Sequence, residues 1–477
     1  MIRSYTLEEF KILKRVASLR TSNENKSQFG EVYTPLSLVE LMLSIIPKAT
    51  FKNPFLRWLD PGSGTGHFFI IVYFKLLDGL QDIIPEVEQR KKHIITEMLF
   101  MVEIRPENVK TLRALFGDDA NIYEGSFLDY NTPTNMDLNN QKQLPLHFDV
   151  VVGNPPFNSQ GLKKVPTSNA NKKNDGITIW SAFIIKSISL LKKESGLLCV
   201  FIPSIWLKPD KQGLYNFLMQ YDIQFLNCFS NTTTNAIFRG NAQTPSCFFL
   251  LTKRDSTNII SIYDFNIRKY VQYYINSGDP IPVFGQEIIN KLRKFCYSPD
   301  KPINTLAVIK TNMPPRGTFL SPTKTDEYPF PNVATCKLTK DNSPELIINY
   351  STKPLKFDGI PKLILAHKMY GFPYLDISGE YGISNRDNYV IIKEDINDLV
   401  RLQRFLSTKT ALYLFEATRY RMKYLEKYAF QLIPDISQLI NFPEHITDKT
   451  IADYFGFDEK DRLSIENLHK KQYKFFV

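Results

Sequence analysis

The chain has 477 residues, 43% of them hydrophobic and 23% charged, with a formal net charge of +10. This length exceeds one typical domain and predicts two or three, the composition is that of a soluble globular protein, and no apolar run reaches the length of a membrane span. The five cysteines (Cys199, Cys228, Cys247, Cys296 and Cys336) form no CxxC pair and the six histidines lack metal-ligand spacing, which argues against a metal site and against a disulfide framework. A reducing, cytoplasmic compartment is expected, the nucleoid or a viral host's cytosol included, because the first residues also carry no signal-peptide apolar region. The positive charge is compatible with a polyanionic partner.

Residues 1–27 read as a polar helix over 6–19 followed by a Ser/Asn-rich connector. A helix over about 36–46 follows, with Thr34 placed as its N-cap and Pro35 at its first position. Residues 55–60 read as a strand that runs into Pro61-Gly62-Ser63-Gly64-Thr65-Gly66-His67-Phe68 and a helix to about residue 77. Strand, glycine-rich turn and helix make a cofactor site, or else a tight structural turn. The glycines are spaced G-x-G-x-G, unlike the G-x-G-x-x-G that cradles a pyrophosphate. Asp60 in front of them would repel a pyrophosphate and favours a ligand with a positive group, such as the amino group of a methionine moiety.

The next strand, 99–103, ends in Glu103, which fits an acid that bonds ribose hydroxyls or, standing alone, a surface glutamate. A helix over 106–116 and a strand over 121–127 lead to Leu128 and Asp129. The fourth strand is the β-branched run Val150-Val151-Val152, which suits a strand covered on both faces. It ends in Gly153-Asn154-Pro155-Pro156-Phe157. Gly153 is expected to let a ligand approach the backbone, and the prolines fix two φ angles and remove two donors.

What remains is one side-chain amide, a row of carbonyl oxygens and one aromatic ring. This set suits a particular problem: an exocyclic amine on a nucleobase is a poor nucleophile because its lone pair is delocalised into the ring. The Asn154 oxygen and the Pro155 carbonyl would accept its two hydrogens and favour a tetrahedral nitrogen with a directed lone pair. Phe157 would stack on a base held out of the duplex.

Residues 158–175 hold Lys163, Lys164, Lys172 and Lys173 and read as a surface loop, either phosphate-binding or merely solvated. A helix over 179–191 and strands over 196–203, 223–229 and 246–251 complete the alternation of a mostly parallel, doubly wound sheet. A loop over 235–240 carries Phe238. Beyond residue 258 the alternation fades; 298–318 reads as a connector or extended arm. Strands are expected over 361–367 and 388–392, helices over 397–406 and 410–427, and a helical tail from 446 with Phe455, Phe457 and Phe476 as docking points. Arg401, Arg404, Arg419, Arg421 and Lys423 alternate there with Phe405, Tyr413, Phe415, Tyr420 and Tyr424. The pattern suits phosphate contact and base stacking, and equally a solvated basic face over an aromatic core.

Assembled, these stretches resemble the N6-adenine-specific DNA methyltransferases of the γ (TaqI-like) group, of restriction–modification type. The resemblance covers most of 28–254 and, more loosely, the remainder. Gly30, Tyr33, Thr34 and Pro35 match the group's first segment, Asp60 to Phe68 its glycine-rich motif, and Asn154-Pro155-Pro156-Phe157 its catalytic motif. The resemblance implies a Rossmann-like α/β domain that binds S-adenosyl-L-methionine through Tyr33, Thr34, Pro35, Asp60, Gly62, Gly64, Gly66, Phe68, Glu103, Ser126, Phe127 and Asn154. It implies catalysis at Asn154, Pro155, Pro156 and Phe157, with Phe238 on the other face of the flipped base. Where the group commonly has Asp-Phe, this chain has Ser126-Phe127, leaving either a weaker cofactor site or Asp129 as a substitute.

The expected organisation is a helix and connector over 1–27, a catalytic domain over 28–257, a connector over 258–318 and an α+β target-recognition domain over 319–477. Double-stranded DNA is the expected partner, contacted by Lys163, Lys164, Arg401, Arg404, Arg419, Arg421 and Lys423. A separate cognate restriction endonuclease, no membrane, no metal and a monomer complete the expectation. The rivals are an RNA or protein-glutamine methyltransferase, of which related enzymes are generally shorter, and a DNA-binding protein with a degenerate catalytic domain.

Overall fold

A computed structural model describes residues 7–18, 28, 32–129, 145–159, 177–209, 213–296, 304–339, 344–367, 373–421 and 425–468. The chain divides into two compact units, one of residues 1–206 with 210–261, the other of 207–209 with 262–477.

The first unit is built on strands β1 (Trp58–Asp60), β2 (Leu99–Glu103), β3 (Asn121–Glu124), β4 (Val150–Gly153), β7 (Leu197–Pro203), β8 (Tyr221–Phe229) and β9 (Ser246–Asp255). A short hairpin of β5 (Asn158–Ser159) and β6 (Ile177–Thr178) stands apart. The main order is β8-β9-β7-β4-β1-β2-β3. Strand β1 runs parallel to both β2 and β4, with Trp58 opposite Leu99 on one side and Val150 on the other. Strand β4 is parallel to β7, and β9 returns antiparallel to β7 and β8. Every residue of β1, β2 and β4 is buried, as expected of strands covered on both faces.

Helices α1 (Leu7–Ser18), α2 (Leu36–Ser44), α3 (His67–Gly79), α4 (Val87–His93), α5 (Pro106–Phe116), α6 (Trp180–Leu190), α7 (Leu214–Leu218) and α8 (Asn231–Ile237) complete the unit. The result is the expected Rossmann-like α/β architecture. From β1 the chain steps outward to β2 and β3, then crosses back to β4 on the other side. The carboxyl ends of β1 and β4 therefore flank the point where strand order reverses, which is where open α/β sheets open a crevice.

Several local expectations change. Residues 235–240 are expected as a loop; the first three belong to α8, which Ser230 caps by accepting from the Thr233 N–H, and Phe238 is the residue that caps its end. Thr34 was expected to cap α2. Instead Pro35 holds the N-cap position, the helix starts at Leu36, and no side chain caps it. Residues expected as a connector hold β10 (Ile259–Asp264), β11 (Lys269–Tyr274) and α9 (Gln286–Cys296).

The second unit contains two four-stranded sheets, ordered β12-β19-β16-β17 and β13-β15-β14-β18. Their strands are β12 (Ile309–Lys310), β13 (Leu320–Ser321), β14 (Phe330–Leu338), β15 (Pro344–Ser351), β16 (Lys362–Ala366), β17 (Tyr374–Asp376), β18 (Gly382–Ile383) and β19 (Asn388–Ile391). Helices α10 (Ile396–Leu406), α11 (Lys409–Ala417), α12 (Asp448–Phe455) and α13 (Glu459–Glu466) follow. The helix expected over 410–427 ends early, at Ala417. No described helix is long and apolar enough to cross a membrane.

Candidate active site

Over the ends of β1, β2 and β4 lies a cleft of about 750 Å³. Tyr33, Thr34, Gly62, Gly64, Phe68, Glu103, Ser126, Phe127, Asn154, Pro155, Pro156, Phe157 and Phe238 all line it. The strand order brings the glycine-rich turn and the Asn-Pro-Pro-Phe turn, nearly a hundred positions apart in sequence, to one place. Gly30 lies outside the described residues, and Pro35, Asp60 and Gly66 are not among the lining residues.

The glycine-rich turn is braced from below. Gly66 has φ +88°, and a Cβ there would press on Leu112 and Phe116 at 3.1 and 3.2 Å, so helix packing and backbone both demand glycine. The Gly64 N–H donates to Glu103 Oε2 (2.7 Å) and the Arg105 N–H donates to Glu103 Oε1 (2.8 Å). Glu103 is therefore no loose surface acid; it ties β2 to the turn while lining the cleft. A carboxylate oxygen has room for a second donor.

Asp60 departs from expectation. It is 1% exposed, and its Oδ1 accepts from the Gly62 N–H (3.1 Å). Burial pushes its carboxyl from 3.8 up to about 8; the Gly62 N–H opposes this and the charge of Glu103 adds to it. The acid thus lies beneath the turn as a brace, where a ligand's positive group in the cleft was expected to meet it. Gly153 is also corrected: a Cβ there would meet Asp60 Oδ1 at 2.9 Å, so the group that needs the space is Asp60, not a ligand.

Asn154 donates from Nδ2 to Thr34 Oγ1 (3.1 Å). Its Oδ1 is buried and has no hydrogen-bond partner among the described residues. Phe157 stacks on Phe201 with ring centroids 6.4 Å apart and planes 14° apart, and Phe201 meets Phe238 at 5.4 Å. Phe201, a cleft-lining residue of β7, contacts both rings expected to hold a base; it reads in sequence as one more apolar strand residue. His67 was also missed. Its ring stacks on Tyr33 (5.2 Å, 19°) and its Nδ1 lies 3.0 Å from Thr65 Oγ1.

Ser126 lines the cleft and Phe127 packs against Phe183 at 5.3 Å. Asp129 does not replace the acid missing at Ser126: it is exposed, lies outside the lining, and its charge acts on Lys186. Lys186 in turn donates to the Leu128 carbonyl (2.9 Å) and sits 5.5 Å from the Phe127 ring centroid.

In the second unit the basic and aromatic residues separate. Phe405, Tyr413, Phe415 and Tyr420 are buried core, not stacking platforms. Arg401 donates to the Phe442 carbonyl (3.3 Å), with its guanidinium 6.0 Å from that ring. Arg419 pairs with Glu416 (3.3 Å) and Arg421 with Glu426 (3.5 Å). Arg404 is exposed and carries no ion pair among the described residues. Lys163, Lys164 and Lys423 lie outside the described residues.

Fold and site define a Rossmann-like α/β unit with a braced glycine-rich turn facing an amide acceptor and aromatic rings. Residues 89–238, from α4 to Phe238, match the family model of the Eco57I restriction-modification methylase, which bears out the resemblance over that segment. A curated relative from Mycoplasma pneumoniae, described as an uncharacterized adenine-specific methylase, is 41% identical over 75 residues, 15% of this chain. The match spans 18% of that relative's length. Among solved structures, the type IIL restriction-modification enzyme MmeI in complex with DNA is similar with a TM-score of 0.46 at 12% identity. That likeness covers 86% of this chain and 68% of MmeI. The type I methyltransferase subunit from Streptococcus thermophilus is similar with a TM-score of 0.35 at 17% identity, covering 62% and 57%.

Proposed function

We propose that the protein is a site-specific DNA methyltransferase that transfers a methyl group from S-adenosyl-L-methionine to adenine N6 in duplex DNA, after the base is flipped out. The observation that carries this reading is the buried Oδ1 of Asn154, which has no partner among the described residues, in a side chain that lines the cleft beside Pro155. Burying an acceptor unpaired costs about 1–3 kcal/mol, a cost explained if a substrate N–H completes it. The family match over 89–238 supports the same class of reaction.

The residues present fit the cofactor. Glu103 lines the cleft as an acid suited to ribose hydroxyls, the α3 N-terminus suits a carboxylate, and Phe68 and Phe127 supply apolar wall. When bound, S-adenosyl-L-methionine supplies an electrophilic methyl group on a sulfonium. The chain's own work is orientation. Asn154 Oδ1 and the Pro155 carbonyl each accept one N6 hydrogen, which concentrates the nitrogen lone pair and stabilises the positive charge it gains. Phe157 and Phe238 clasp the base with Phe201 behind them. The surplus N6 proton leaves to solvent after transfer; no strong base is required.

The reading extends to a cytoplasmic enzyme serving beside a separate cognate restriction endonuclease. The test is to incubate the full chain with S-adenosyl-L-methionine and plasmid DNA and to map modified bases by single-molecule sequencing. N6-methyladenine confined to one sequence motif is expected. Unmodified DNA alongside methylated RNA or protein would overturn the substrate assignment.

A further inference from the structure

We infer that Thr34 is a positioning residue for methyl transfer, its hydroxyl holding the Asn154 amide with Oδ1 turned toward the cleft. This rests on the function proposed above. Thr34 is 4% exposed and caps no helix. Its Oγ1 accepts the Asn154 Nδ2 hydrogen at 3.1 Å. An asparagine amide has donors on one side and an acceptor on the other. With Nδ2 held by Thr34, the atom left for the substrate is Oδ1, which is buried and has no partner among the described residues. Rotated the other way, the amide would present N–H groups to an amine that itself needs acceptors, and the site would repel its target.

The segment that carries Thr34 also meets the glycine-rich turn. The preceding residue, Tyr33, stacks on His67 at the start of α3 and lies 3.8 Å from where a side chain on Gly64 would begin. Two consecutive residues thus tie the glycine-rich turn to the acceptor that follows β4. Thr34 touches no reacting atom in this scheme; it acts through Asn154.

The test uses full-length Thr34→Val, which keeps the shape and removes the hydroxyl, and Thr34→Ser, which keeps the hydroxyl. Single-turnover methylation of duplex DNA and calorimetric binding of S-adenosyl-L-methionine are measured separately. Thr34→Val is expected to slow turnover about 10- to 100-fold with cofactor affinity held within about threefold, and Thr34→Ser to return within about threefold of the parent rate. A Thr34→Val rate equal to the parent overturns the inference. So does an equal loss of cofactor affinity, which would make Thr34 a cofactor contact. If the parent chain methylates no DNA, the functional reading fails by itself. Crystal structures of the two variants then decide: Asn154 is expected to rotate in Thr34→Val and to hold in Thr34→Ser, and an unmoved amide in both contradicts the positioning role.

Discussion

Asp60 and Gly153 end adjacent parallel strands, and a side chain on Gly153 would begin 2.9 Å from the Asp60 carboxylate. The carboxylate cannot easily retreat, because its Oδ1 accepts from the Gly62 N–H and the group is 1% exposed. Gly153→Ala is therefore expected to cost about 1–3 kcal/mol, as overpacking does. Urea unfolding measures the loss. Combining it with Asp60→Ala, which removes the obstructing oxygen, should give less than the sum of the single losses. Strict additivity would mean that the two sites do not touch.

The buried Asp60 carboxyl also sets a pH dependence. Its pKa is raised from 3.8 to about 8, with burial the main cause. The folded state thus holds a proton that the unfolded chain releases, so the stability it contributes is full below pH 3.8 and is lost as pH rises to about 8. Asp60→Asn keeps an acceptor for Gly62 and cannot ionise. Its stability relative to the parent should grow with pH across this window, by up to about 1.4 kcal/mol per pH unit. Unfolding curves at pH 5, 6, 7 and 8 test this; parallel profiles would show that Asp60 is ionised throughout.

The two rings assigned to the target base differ in what else they do. Phe238 is 4% exposed and packs on Phe201, whereas Phe157 is only partly buried. Phe238→Ala should lose about 3–5 kcal/mol of stability. Phe157→Ala should lose less than about 2 kcal/mol, while slowing methylation and raising the KM for DNA. Equal stability losses would put Phe157 in the core and remove the distinction.

Among the arginines, Arg404 and Arg401 should separate by readout. Arg404→Ala should reduce the slope of log affinity against log salt by about 1 while sparing stability, because an exposed cation that releases a counterion acts in that way. Arg401→Ala should lower stability instead, since its guanidinium packs on Phe442 and donates to that residue's carbonyl. A salt slope changed by Arg401 and not by Arg404 would reverse the two assignments.

The sheet and the cleft were legible because their signals are local. Val150–Val152 announces a buried strand, α5 has its expected bounds (Pro106–Phe116), and the glycine-rich and Asn-Pro-Pro-Phe turns end strands whose order brings them together. What failed to show depends on side-chain direction in three dimensions. Thr34 looks like a helix cap, yet its hydroxyl turns to a residue 120 positions away. Asp60 reads as a ligand-facing acid, yet the strand carries it beneath the turn. Phe405 and Tyr413 interleave with cations in sequence, yet the helical period of α10 and α11 sends these rings into the core. His67 carries a signal of its own: a polar ring at the first position of a helix whose first two turns are otherwise apolar, directly after the glycines.

The most direct test of the account is Asn154→Ala. The central claim is that the Asn154 oxygen activates the target amine, so methylation should fall to background in a quantitative N6-methyladenine assay. Duplex DNA binding should stay within about threefold of the parent, as expected for an interaction used in the transition state. Robust residual methylation by Asn154→Ala, with binding intact, would contradict the account.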